Sequence, residues 1–453
     1  STSALLLIAL ASVVLLLLLV IKAKAHPFVA LLIVSLLVAF ATGIPADKII
    51  TTIEKGMGGL LGHIASIIIL GSMLGVLIEI SGGAESLAKT LTGVLGSKRT
   101  IAALTIVAFI LGTPVFFEVG FIIIIPLIYG FSKVAHMSPL KFGLPMAGVM
   151  LTVHVALPTH PGAAAAAGIL HSDVGWLMLA GIGVSVVVGI VGYFVARSIN
   201  QRHYHLSINV LEQQQTAEVP DLSVNAQQTR LAPPNALVIG GLIVVPIVLI
   251  VSGTLCQALL LPENAIRQLM TVIGTPPVAL LISLGLASWT LGIRRGMNLK
   301  KLGEVTGSAI PSSADVILVA GAGGAFGGVL VASGIGNALA EALETIHLPL
   351  MPAAFLLSLV LRASQGSATV AILTTSGLLS QAVAGLEPLQ LVLVTLATCF
   401  GSLGLSHVND AGFWVVTRYL GLSVPDGLKT WTVLTTIMGV TGFLITWLLW
   451  FLL

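Results

Sequence analysis

LLLIALASVVLLLLLVI, residues 5–21, carries a single polar side chain, Ser12. A hydrocarbon core about 30 Å thick is crossed by roughly 20 apolar residues in a helix. Lipid offers backbone amides and carbonyls no partner, so a segment lying in it must be a helix or a strand of a closed barrel. Barrel strands alternate apolar and polar residues, and this run does not. It reads as a first transmembrane helix. It has no basic n-region or A-x-A cleavage site, and Lys22 and Lys24 follow it, so a signal peptide is not expected.

The rest of the chain repeats this character. Of 453 residues 57% are hydrophobic and 8% charged, against roughly 25% charged in soluble domains, which excludes a water-soluble fold. The net charge of +3 is scattered without a basic cluster, so neither nucleic-acid nor lipid-headgroup recognition is expected. Cys256 and Cys399 read as small buried hydrophobes, and His203 and His205 as solvated loop residues. No metal and no cofactor is expected, and neither HExxH nor GxSxG is present to suggest an enzyme.

Apolar runs predict ten crossings: 3–21, 28–45, 57–80, 140–170, 174–196, 235–256, 271–292, 312–331, 388–419 and 431–453. Two more stretches, 101–132 and 350–384, are interrupted midway by TPVFFE (113–118) and RASQGSAT (362–369). Each reads as a re-entrant hairpin or a helix pair. With hairpins and an external N-terminus, the loops expected outside the cytoplasm receive only Lys48, Lys55 and Arg267 of the 20 basic residues. Arg362 falls within the second hairpin. The positive-inside rule then places both termini outside.

The chain also resembles itself. SGGAESLAKTL (81–91) and SGIGNALAEAL (333–343) share five positions at an offset of 252, and that offset carries Thr113 to Val115 onto Gln365 to Ser367. The expected fold is an all-α polytopic membrane protein, an inverted-repeat transporter with two re-entrant hairpins and two broken transmembrane helices. Residues 1–196 form the first repeat, with hairpin 101–132 and broken span 140–170. Residues 197–233 are a cytoplasmic linker, and 234–453 the second repeat, with hairpin 350–384 and broken span 388–419.

Ionisable groups within a bilayer cost roughly 2.5 to 3.5 kcal/mol each and mark function. Glu118, Arg362 and Asp410 all fall at the breaks. In ALPTHPGAAAAAGIL (156–170), Pro158 and Pro161 flank Thr159 and His160; the counterpart is GLSHVNDAGFW (404–414). Half-helices are expected to begin after Glu118, Pro161, Gly366 and Asp410, and such ends attract anions. Arg362 can hold a carboxylate with both prongs of its guanidinium. Thr113, Thr159, His160, Ser364, Gly366, Ser367, Thr369, Ser406, His407 and Asn409 supply polar groups for hydroxyls. Glu118 and Asp410 are the candidate proton carriers. Single hydroxyls also join helices to one another. Gly58 and Gly62, Gly71 and Gly75, and Gly323 and Gly327 read as close helix packing, and His63 and His154 as structural.

At GTPVFFEVGF (112–121), THPG (159–162), ILVAGAGGAFGGVL (317–330), GSATVA (366–371) and SHVNDAGFW (406–414), the chain resembles the gluconate:proton symporter (gluconate permease, GntP) family of the ion-transporter superfamily. The likeness runs nearly end to end, from HPF at 26–28, with PTHPG standing where PPHPG is typical. It implies proton-coupled uptake of gluconate or a related aldonate or uronate across a bacterial inner membrane, by a homodimer. Its wider membership includes carriers of D-serine and other small acids. A sodium-coupled carboxylate symporter is the alternative, since unwound carbonyls can ligate sodium.

Overall fold

The computed structural model describes residues 2–96, 99–216, 233–345, 348–407 and 410–453, and every regular element in them is helical. The first half opens with α1 (Thr2–Leu17), α2 (Pro27–Ala41), α3 (Ala46–Ile80) and α4 (Gly83–Leu95). The first hairpin follows as α5 (Thr100–Gly112) and α6 (Phe117–Val134), the broken span as α7 (Pro139–Ala156) and α8 (Pro161–Leu170), and α9 (Val174–Ile199) closes the half. A short α10 (Ile208–Thr216) comes next.

The second half runs α11 (Ala236–Leu259), α12 (Ala265–Ile273), α13 (Pro276–Ala287), α14 (Leu299–Gly307), α15 (Ala309–Ser333) and α16 (Ile335–Thr345). Its hairpin is α17 (Leu350–Gln365) and α18 (Ala368–Leu379), and its broken span α19 (Pro388–Leu403) and α20 (Ala411–Tyr419). A single turn, α21 (Val424–Gly427), leads into α22 (Val433–Trp450). Six helices among the described residues are long and apolar enough to cross a membrane, and shorter apolar helices stand at the remaining expected spans.

Three boundaries differ from the sequence reading. α3 starts at Ala46, not 57, because Pro45 precedes it and no proline follows, so the polar stretch stays helical. At 1.5 Å per residue its 35 residues reach ~52 Å, and Lys48 and Lys55 lie on this helix instead of in a loop. The span expected at 271–292 begins at Pro276, where Pro276 and Pro277 set the first turn. Residues 265–273 before it form a separate amphipathic helix capped by the Asn264 side chain. The expected linker starts later than 197, since α9 runs on to Ile199, and within it Gln214 of α10 donates to Ser132 Oγ at 3.1 Å and Met137 O at 2.9 Å. Its remainder, 217–232, lies outside the described residues.

Packing contacts recur in reciprocal pairs. α5 lies on α7 as α17 lies on α19, and α7 on α9 as α19 on α22. α2 packs on α15 and α13 on α3; α1 on α16 and α11 on α4. Across the halves, α6 meets α20 and α18 meets α8. Gly83 plus the offset of 252 is 335, the residue that opens α16.

α3 crosses α15 backbone against backbone. A Cβ on Gly56 would stand 2.5 Å from Gly324 O, and one on Gly324 would stand 2.7 Å from Gly56 O. The expected packing at Gly58 and Gly62 is not observed, since neither has a neighbour within 4 Å of a Cβ. Gly71 and Gly75 instead face the breaks, near Thr159 O at 3.8 Å and Pro114 O at 3.1 Å, while Gly323 packs on Leu373.

Candidate functional site

Helices begin at all four expected breaks, each for a local reason. α6 starts at Phe117 after Pro114 and an extended Phe116, so Glu118 sits inside the first turn and not before it. α8 starts at Pro161, a residue that needs no amide partner at a helix start. α17 ends at Gly366, whose φ of +88° favours glycine, and the Ser367 side chain caps α18 by accepting from Val370 N. Asp410 caps α20, its Oδ1 accepting from Gly412 N at 3.0 Å.

Three of these N-termini meet at one cavity of about 220 Å³. Glu118 lies on its wall with Arg362, Gly366, Ser367, Thr369 and Asp410, and with His154 of α7. The positive ends of α6, α18 and α20 therefore face one space, an arrangement that favours an anion. Drug-sized ligands occupy roughly 300 to 1,000 Å³, so this cavity suits a small acid.

Arg362 organises the site. It is 2% exposed and its Nη2 donates to Asp410 Oδ2 at 2.5 Å, the Asp410 side chain being 7% exposed. Its Nη1 donates to Gly366 O, closing the α17 terminus onto its own side chain. Its Nε is buried without a partner among the described residues. Ser406 donates to the same Asp410 oxygen and accepts from Trp431 Nε1 at 2.7 Å. Trp431 in turn stacks on Phe117, ring centroids 5.8 Å apart at 11°. The pair thus ties the second hairpin to the second broken span, and the tryptophan carries that link to the first residue of α6.

The remaining expected residues stand behind this wall. His160 donates from Nε2 to Gly112 O, and His407 donates from Nε2 to Ala363 O, both at 2.7 Å. Thr113 bonds back to Phe109 O at 3.3 Å, and Thr159 is buried with its hydroxyl unpartnered. The α8 N-terminus does not line the cavity; Gly162 there packs against Ile372 and Thr369 of α18. The Ser364 side chain and Asn409 lie outside the described residues.

His154, read from sequence as structural, lines the cavity. Its ring centroid is 4.7 Å from that of His160, and both Nδ1 atoms are buried without partners among the described residues. The available signal was position, one helical turn before Pro158.

The family model for GntP family permeases matches residues 4–452. The chain is 61% identical over 450 residues to an inner membrane permease of Escherichia coli K12, YgbN, covering 99% of each. It is 38% identical to a gluconate permease of Bacillus licheniformis, over 98% of this chain and 99% of that one. The fold is also found in the crystal structure of the YdaH transporter of Alcanivorax borkumensis, with a TM-score of 0.59 at 13% identity, covering 92% of this chain and 98% of that one. With three half-helix N-termini around a buried arginine and a family match spanning nearly every residue, the chain belongs to the GntP family of permeases.

Proposed function

We propose that this permease carries gluconate or a related aldonate or uronate into the cell with protons. The observation that carries the reading is the Arg362 to Asp410 pair at the meeting point of three helix N-termini, with Glu118 on the same cavity. The substrate carboxylate and Asp410 compete for one guanidinium. A proton on Asp410 releases Arg362 to take the carboxylate bidentately, and Glu118 supplies the second acidic group. Ser367 and Thr369 offer hydroxyl partners to a polyhydroxy acid.

The two halves work as inverted repeats, with each hairpin and its broken span moving together and both termini outside the cytoplasm. The reciprocal packing of α6 on α20 and α18 on α8 supports this arrangement. A C-terminal reporter that fluoresces only in the cytoplasm should stay dark. For the cargo, purified protein in proteoliposomes should accumulate labelled gluconate under an inward proton gradient and not under a sodium gradient. Accumulation driven by sodium alone would transfer the reading to the sodium-coupled class.

A further inference from the structure

Basic residues that are scattered in the sequence converge in space where α7 begins and α9 ends. A cavity of about 730 Å³ is lined there by Lys141, Arg197, Arg202, His136, His203 and Tyr204, among others. Among the described residues no carboxylate lines it. Among the described residues, none of Lys141, Arg197 and Arg202 has an ion-pair partner. Lys141, Arg197 and Arg202 are exposed, and all three border this one space. Asn200 pins the two segments together, its Nδ2 donating to Leu140 O at 3.4 Å. Its Oδ1 is left buried without a partner among the described residues, able to accept from a hydroxyl.

An apolar track leads to this cavity. On α9, Leu179, Val186 and Ile190 are exposed at 37%, 44% and 54%. Their spacings of seven and four residues, followed by seven more to Arg197, place all four on one face of the helix. From Val186 to Arg197 the helix rises ~16 Å at 1.5 Å per residue, close to half of a ~30 Å hydrocarbon core. A cationic cavity at the end of a one-leaflet apolar track matches a ligand with an acyl chain and an anionic head.

We propose that this cavity binds a phosphate ester, the headgroup of an anionic phospholipid, with the acyl chain along the Val186 to Ile190 face. The site is separate from the transport cavity and shares no lining residue with it.

The test is native mass spectrometry of the full chain released from mixed micelles of phosphatidylglycerol and phosphatidylcholine. Wild type should retain phosphatidylglycerol preferentially. A basic residue near the surface contributes about 1 kcal/mol of attraction, so Lys141→Gln/Arg197→Gln/Arg202→Gln should weaken retention about a hundredfold. A control with the same charge loss, Lys22→Gln/Lys24→Gln/Lys300→Gln, should keep the preference. Arg197→Gln alone should give about a fivefold loss, which keeps the test open if the triple variant does not fold. Equal retention of both lipids by wild type, or equal loss in the control, overturns the proposal. A third arm offers inorganic phosphate alone: tight binding of phosphate to wild type without phosphatidylglycerol retention would assign the site to a soluble anion and overturn the lipid.

Discussion

His407 makes in the second half the contact that His160 makes in the first. Each ring donates from Nε2 to a main-chain carbonyl at the end of its own half's first hairpin arm, Gly112 or Ala363, at 2.7 Å. A helix that stops inside the protein leaves its last carbonyls without amide partners. In lipid no water can satisfy them at low cost. The imidazole of the broken span supplies a donor, and it fastens the hairpin to the span in both halves. This contact gives a physical reason for a histidine at each break that has nothing to do with touching substrate.

Removing either ring should therefore act on stability. His160→Ala and His407→Ala each remove a buried hydrogen bond to a hairpin carbonyl, which costs about 0.5 to 1.5 kcal/mol. The measurement is thermal unfolding of purified protein in detergent. Two variants that melt with wild type would show that neither bond fastens anything.

Arg362→Lys keeps the charge and loses the planar fork. With Asp410 and Gly366 O already on separate prongs, an ammonium cannot span both and then turn to a carboxylate. Gluconate affinity should fall by roughly tenfold or more, about the 1.4 kcal/mol of one charge-assisted hydrogen bond. Titration calorimetry of the two proteins settles it, and equal affinities would remove Arg362 from the carboxylate site.

Why the breaks were legible and their partners were not follows from range. Pro158, Pro161 and Gly366 act on their own backbone, so their effect is written where they stand. The same holds for Glu118, Arg362 and Asp410, whose mere presence in apolar runs marks them. The Arg362 to Asp410 pair joins positions 48 apart, and no periodicity connects them. His154 sits in an apolar run like any core residue and becomes part of the cavity only once α6 and α18 close over it. Lys141 and Arg197 likewise form no basic run, which is why the headgroup cavity was not expected. The glycine spacing selected Gly58 and Gly62, while the helix rotation put Gly56 at the crossing.

That last difference gives a paired test. Gly56→Ala drives a methyl into Gly324 O on the facing backbone, which cannot yield by changing rotamer, and overpacking of this kind costs about 1 to 3 kcal/mol. Gly58→Ala meets open space and gains the helix preference of alanine, about 0.5 to 1 kcal/mol. Melting temperatures of the two variants should move in opposite directions. If both fall together, the α3 to α15 crossing is not where the model of close backbone contact requires it.

The coupling proposal turns on who holds Arg362. On this proposal, a proton taken up at the pair frees the guanidinium, so wild type should bind gluconate more tightly at low pH than at high pH. Asp410→Asn cannot reclaim the guanidinium, so gluconate affinity should become nearly independent of pH and uphill accumulation should fail. The change also leaves a buried cation without its partner, at a cost of about 3 to 5 kcal/mol in such sites. Unfolding is therefore measured alongside, with Arg362→Gln/Asp410→Asn as the neutral control for folding. Glu118→Gln separates the second acid: Arg362 keeps its partner and the pH dependence of binding should survive. Proton-driven accumulation should be lost while exchange of labelled for unlabelled gluconate continues, since exchange requires no proton release. An Asp410→Asn protein that binds gluconate with the wild-type pH dependence would place the competing group elsewhere, and Glu118→Gln would then be expected to flatten that dependence instead.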